Sequence, residues 1–270
     1  PMYEPHFGLV SAPFENTPDP RCYYPSADHE EAISRAIYAI RRRLGAAMVT
    51  GEVGAGKTLL TRLLLERLAP EGFDVALVVN PALSPPQFLS EVLYQFGNEK
   101  PPVGKAALLR LLHRRILDND AAGRQTILVV DEAQSIRRTE VFEEIRLLLN
   151  FQKNDRFLLS ILFLGQPELR DRIKAIPQLS QRIALRHHLN PLPAAEVAAY
   201  IEHRIQAAGG PAGLFDLAAS DAVARASLGI PRLVNGIADR CLLAASLERR
   251  TRVDAATADR VVREEFPPAG

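Results

Sequence analysis

Short apolar runs alternate with amphipathic stretches through the first two thirds of the chain. Residues 46–50, 75–79, 127–130 and 157–164 are apolar at nearly every position. Runs of this length without a polar alternation predict strands covered on both faces, as in a parallel sheet. Between them the spacing turns helical over 59–68, 88–96, 106–117, 141–149 and 169–173. Leu108, Leu111, Leu112 and Ile116 share one face of the third of these. An earlier helix begins after Ser26, a residue suited to an N-cap, and carries Ala32, Ile33, Ala36, Ile37 and Ile40.

Beyond Pro191 the pattern is helical throughout: 194–207, 220–227, 232–247 and 254–264, parted by Gly/Pro turns such as Gly209-Gly210-Pro211. The first 26 residues are dense in proline and aromatics, with Phe7, Pro13, Phe14, Pro18, Pro20, Tyr23, Tyr24 and Pro25. So much proline argues against regular helix and predicts an extended arm anchored by its aromatic rings. The expected organisation is an arm (1–26), an α/β nucleotide-binding domain (27–190), a small all-α lid (191–266) and a tail or linker (267–270).

Composition narrows the class without naming the chemistry. The chain has 270 residues, 47% of them hydrophobic, which is enough for a sizeable core and excludes global disorder. Lys and Arg number 33 against 32 Asp and Glu, which excludes a uniformly basic nucleic-acid binder. Two cysteines, Cys22 and Cys241, make no disulfide framework and favour a reducing compartment. No apolar run reaches the ~18 residues of a membrane span. Met2 reads as a natural start after Pro1, and the Pro-Pro-Ala-Gly ending leaves open that the chain continues.

The chemistry lies at two strand ends. Gly51-Glu52-Val53-Gly54-Ala55-Gly56-Lys57-Thr58 matches G-x-x-x-x-G-K-[ST] between a strand and a helix, with Leu59 opening the helix. Glycines let successive N–H groups curl around a phosphate, and the helix N-terminus adds its positive end. Residues 51–59 are therefore the candidate ATP-binding set. Lys57 is placed for the β- and γ-phosphates and Thr58 for Mg²⁺. The run Ile127-Leu128-Val129-Val130-Asp131-Glu132 ends an apolar strand in two carboxylates. Asp131 is the candidate Mg²⁺ ligand and Glu132 the candidate base for the attacking water.

These residues together resemble the AAA+ ATPases. Phe7-Gly8-Leu9, Pro18-Asp19-Pro20, Asp131-Glu132-Ala133-Gln134, Gly165-Gln166-Pro167-Glu168-Leu169 and Gly229-Ile230-Pro231-Arg232 narrow the resemblance to ExeA/GspA-type secretion ATPases. Asn150-Phe151-Gln152 and Tyr200-Ile201-Glu202-His203-Arg204 are similar to the exosortase-associated ATPases. The resemblance implies a P-loop AAA+ three-layer αβα domain and a helical lid. It implies a sensor 1 role for Gln166, a sensor 2 role for Arg232, and for Asn80 the polar residue that restrains the base. An Asn-Pro pair is also a plain turn signal.

Arg182 resembles an arginine finger acting on a neighbour's ATP, with Arg172 and Arg186 as substitutes. Tyr24, Pro25 and His29 are the candidates for the adenine. The implied partners are further copies of the chain, in a hexamer-like ring or a filament, and an envelope secretion or export apparatus. The implied location is cytoplasmic, or the cytoplasmic part of an inner-membrane-associated protein. The alternative is a DNA-binding transposition regulator of the MuB/TnsC sort. The basic clusters Arg41-Arg42-Arg43, His113-Arg114-Arg115, Arg137-Arg138 and Arg249-Arg250 read as solvated faces, with Arg137-Arg138 the best placed for DNA. His187-His188 has no acidic neighbour in sequence and is not expected to bind zinc.

Overall fold

The computed structural model describes residues 2–153 and 156–266. The expected tail at 267–270 lies outside the described residues. In chain order the elements are α1 (Glu4–Phe7), α2 (Ala27–Arg41), β1 (Ala46–Gly51), α3 (Lys57–Leu68), β2 (Asp74–Val78), α4 (Pro85–Gln95) and α5 (Lys105–Ala121). Then come β3 (Thr126–Val130), α6 (Thr139–Leu148), β4 (Gln152–Lys153), β5 (Arg156–Phe157), β6 (Leu159–Gly165), α7 (Glu168–Lys174), α8 (Pro177–Ser180) and β7 (Ile183–Leu189). Four helices close the chain: α9 (Ala194–Ala207), α10 (Leu217–Ser227), α11 (Pro231–Leu247) and α12 (Ala255–Glu265). They form two compact units, residues 27–53 with 60–189, and residues 2–26 with 54–59 and 190–266.

The first unit is built on a five-stranded sheet in the order β2-β3-β6-β1-β7, every pairing parallel. Strands β1, β3 and β6 are buried at every position, so both faces are covered, as their unbroken apolar runs predict. Phe88, Leu93, Leu112, Ile116, Phe142 and Phe163 belong to its core. Residues 157–164 do not form one strand: Arg156 and Phe157 pair antiparallel with Lys153 and Gln152, and β6 starts at Leu159.

β7 has no counterpart in the sequence reading. Its Ala-Leu-Arg-His-His stretch is mostly half-exposed or exposed, because β7 pairs on one side only, with β1. Polar and charged residues suit such an edge, since they discourage pairing with another chain. They also remove the apolar signal by which a strand is recognised.

In the second unit α9–α12 enclose a separate core with Val197, Ile201, Val223, Val234, Ile237 and Leu242. Tyr3, Phe7, Leu9 and Phe14 of the N-terminal segment complete it. Arg204, 6% exposed, holds that segment: Nε donates to the Pro13 carbonyl at 2.7 Å and Nη2 to the Glu15 carbonyl at 2.9 Å. The segment is not wholly extended. Pro5 falls in the first turn of α1, where its missing N–H leaves no bond unmade, and Gly8 ends the turn in a left-handed conformation. Asp216 accepts from Ala219 N at 2.7 Å and starts α10 three residues before its apolar face begins, since Leu217 is 78% exposed. No helix among the described residues is long and apolar enough to cross a membrane.

Candidate functional site

β1 ends at Gly51 and α3 begins at Lys57, so the connecting loop spans five residues. Gly54 and Gly56 take φ of 85° and 97°, a left-handed conformation that side chains oppose. Alternating left-handed glycines turn backbone N–H groups inward, and the N–H groups of the first turn of α3 follow directly. Lys57 is buried, whereas Glu52, Val53 and Thr58 are exposed. This loop fits a polyphosphate: it offers backbone donors, a lysine and a hydroxyl.

Arg232 opens α11 just after Pro231. Its N–H donates to the Gly54 carbonyl at 3.3 Å, and a Cβ on Gly54 would come within 2.5 Å of Arg232 Cβ. Its side chain is exposed. The preceding Gly229 is held more tightly still. It has φ 74°, its carbonyl accepts from Leu192 N at 2.8 Å, and an added Cβ would meet Leu192 O at 2.0 Å. Gly229 is thus required by the backbone that presents Arg232.

Asn80, Asp131, Glu132 and Gln166 lie at the carboxyl ends of their strands, the edge at which open parallel sheets take ligands. Asp131, 3% exposed, is fixed by its N–H on the Val78 carbonyl at 2.9 Å. Its Oδ1 accepts from Glu132 N at 2.8 Å. Glu132 takes φ 49° and ψ 37°, a left-handed backbone that costs an L-residue about 1–2 kcal/mol. The structure therefore maintains strain at the candidate base.

Glu132 Oε2 accepts from Gln134 Nε2 at 2.5 Å, and Gln134 Oε1 accepts from Gln166 N at 3.0 Å. The Arg172 guanidinium donates to the Gln134 carbonyl and lies 5.5 Å from the centre of the Phe142 ring. Gln166 is half-buried, and only its backbone N–H is engaged in this network. Asn80 does not restrain Glu132 here. It is exposed, and its Oδ1 accepts from Ala82 N at 3.4 Å, so it takes the turn role. The network turns on Gln134, which the sequence reading used only as part of a motif. No spacing rule marks a glutamine two residues past a carboxylate as its partner.

Arg182 lies at the other edge of the sheet. Its carbonyl accepts from Ala46 N, where β1 begins, roughly 17 Å along the strand from Gly51. Its guanidinium donates to the Leu149 carbonyl at 2.6 Å and to Asn150 Oδ1 at 2.7 Å. Arg186 is engaged too, with the Ser180 carbonyl at 2.7 Å and Ser180 Oγ at 3.0 Å. Arg137 and Arg138 are exposed.

Of the adenine candidates, Tyr24 stacks edge-on against Tyr200 at 5.7 Å and His203 at 5.6 Å; Pro25 is exposed and His29 buried. His187 does have acidic neighbours, contrary to expectation, because β7 runs beside α2. Its Nε2 lies 3.1 Å from Asp28 Oδ1, with Glu31 in the same group. Glu31 is also paired with Arg35 at 2.5 Å.

The strand-loop-helix phosphate cradle, the acidic strand end and the sheet order define a P-loop nucleotide-binding fold. Residues 40–173 match the family described as the AAA domain. The chain belongs to the AAA+ class of P-loop ATPases. It is 39% identical over 250 residues to General secretion pathway protein A of Aeromonas hydrophila, a match covering 90% of this chain and 45% of that protein. The chain thus spans less than half the length of that relative. Among solved structures it is similar in fold to Cdc6p of Pyrobaculum aerophilum, with TM-score 0.75 and 16% identity over 97% of this chain and 73% of that one. It is likewise similar to the Aeropyrum pernix ORC2 protein, solved as ADPNP-ADP complexes, with TM-score 0.66 and 19% identity over 93% and 71% of the two chains.

Proposed function

We propose that this chain is a Mg²⁺-dependent ATP hydrolase whose turnover drives assembly of a cell-envelope secretion or export machine. The observation that carries the reading is the 39% identity to General secretion pathway protein A, over 90% of this chain. In this reading the loop amides of residues 51–56 and Lys57 hold the β- and γ-phosphates. Thr58 and Asp131 supply the hydroxyl and carboxylate oxygens that suit a hard cation. Mg²⁺, when bound, neutralises charge on the phosphates. Glu132 orients the attacking water and takes its proton as the new P–O bond forms and the γ-phosphate leaves ADP. Gln166 holds the water or the γ-phosphate, and Arg232 engages the γ-phosphate of its own subunit.

Arg182 completes the site of a neighbouring copy. Its place at the start of β1, remote from the strand ends that carry Asp131 and Glu132, supports a role in trans rather than in cis. Turnover then depends on self-association into a ring or filament. The test is ATPase activity across a range of protein concentrations for wild type and Arg182→Ala. Turnover per subunit that rises with concentration in wild type and stays low in the variant is expected. An Arg182→Ala protein with the wild-type rate and concentration dependence would remove the trans role. Stimulation by duplex DNA that fades with added salt would favour the transposition regulator over the secretion ATPase.

A further inference from the structure

The carboxylate of Glu132 has to be aimed to be useful as a base, and its own backbone does not aim it. The left-handed conformation at residue 132 sets where the side chain leaves the strand end. The rotatable bonds beyond Cβ are settled by what the carboxylate touches. Gln134 Nε2 touches it at 2.5 Å. The other end of the same amide is fixed by Gln166 N at 3.0 Å, and the backbone of Gln134 by Arg172. Gly165 makes room for this amide: a Cβ there would stand 2.8 Å from Gln134 Oε1.

Resting on the assignment of Glu132 as base, we propose that Gln134 is a positioning residue. Its amide ties the Glu132 carboxylate to the backbone at Gln166 and so sets the base and the end of β6 in register. The amide group has the two faces this needs, a donor for a carboxylate and an acceptor for a backbone N–H. A hydrocarbon side chain of the same size has neither. A glutamate keeps the acceptor and loses the donor. In this role Gln134 acts on the base and not on the phosphates, so nucleotide affinity is expected not to depend on it.

The test compares wild type, Glu132→Gln, Gln134→Met, Gln134→Glu and Gly165→Ala. Each is assayed for ATP hydrolysis at saturating Mg-ATP and for binding of a fluorescent ATP analogue. Gln134→Met preserves volume and neutrality. It is expected to lose about 10- to 100-fold in kcat, the scale of a misaimed catalytic group, while analogue affinity stays within about twofold.

Gln134→Glu is expected to lose at least as much, although its shape is native. Gly165→Ala presses on the same amide and, as closely, on Leu169 Cδ2, so it should lose activity with some loss of stability as well. A Gln134→Met enzyme with kcat within about twofold of wild type would overturn the proposal. So would wild-type turnover in Gln134→Glu, or parallel losses of kcat and affinity. Wild-type protein that binds the analogue but shows no Glu132-dependent hydrolysis would instead overturn the site reading, and the role of Gln134 with it.

Discussion

The two edges of the same sheet are built on opposite principles. At the amino edge nearly every strand start is tied down. Asp74, opening β2, accepts from Arg115 Nε at 2.7 Å and Asn119 Nδ2 at 2.6 Å. Asn119 also donates to Thr126 Oγ1 at the start of β3, and Gln125 to Ser160 Oγ in β6. Close by, Arg43, Lys153 and Arg156 converge on Asp120 at 2.9, 2.6 and 3.1 Å. At the carboxyl edge one residue is held in a left-handed backbone, and a single glutamine amide links two strand ends. The first edge stabilises the unit. The second holds its strain at the candidate base itself, as sites of chemistry commonly do.

Removing the carboxyl-edge base should break the comparison most. Glu132→Gln is expected to lose about 10²- to 10⁴-fold in kcat by steady-state assay, the worth of a general base. Because the substitution relieves no packing, its melting temperature should stay near that of wild type.

Arg182 is the informative intermediate, a residue of the stabilised edge with a proposed role in catalysis. Arg182→Lys keeps the charge but not the two-pronged contact with Leu149 O and Asn150 Oδ1. A rate loss of about 10-fold or more at high protein concentration, with only a small fall in melting temperature, marks it as functional. A fall in melting temperature without a rate loss returns it to the stabilising edge.

Asp120→Ala should do the reverse of Glu132→Gln. Three cations lose a shared, shielded carboxylate, which is expected to cost about 1–3 kcal/mol in denaturant unfolding. Nucleotide affinity should not change.

The smallest effect is in acid. Lys153, then Arg43 and Arg156, hold the Asp120 carboxyl down at about 2, below its unfolded value of about 4. Its contribution is therefore complete above pH ~4 and fades as pH falls toward ~2. Asp120→Asn should flatten that part of the stability curve measured by denaturation at successive pH values.

Much of this was legible before any fold was known, and unevenly so. β1 and β3 were legible because strands buried on both faces carry no polar alternation. α9 was legible to the residue, because its apolar face recurs along its whole length. β7 was not, since an edge strand is written in arginines and histidines that also suit a loop. The start of α1 was hidden by prolines whose position within the turn, rather than their number, decides whether helix is allowed.

The candidate site divides in the same way. Glycine conformations at 54 and 56, the lysine at a helix start and the carboxylates at a strand end are local consequences of residue type and spacing. The sequence by itself therefore determined the phosphate cradle, the acidic strand end and the alternation of strands and helices that leads from β1 to β6. Tertiary structure decided which edge Arg182 occupies, that His187 meets Asp28, that Asn80 closes a turn, and that Gln134 holds Glu132. The places of Arg182 and His187, and the tie from Gln134 to Gln166, depend on which strands lie side by side, and that order, β2-β3-β6-β1-β7, is set by burial of the whole sheet rather than by any local run of residues.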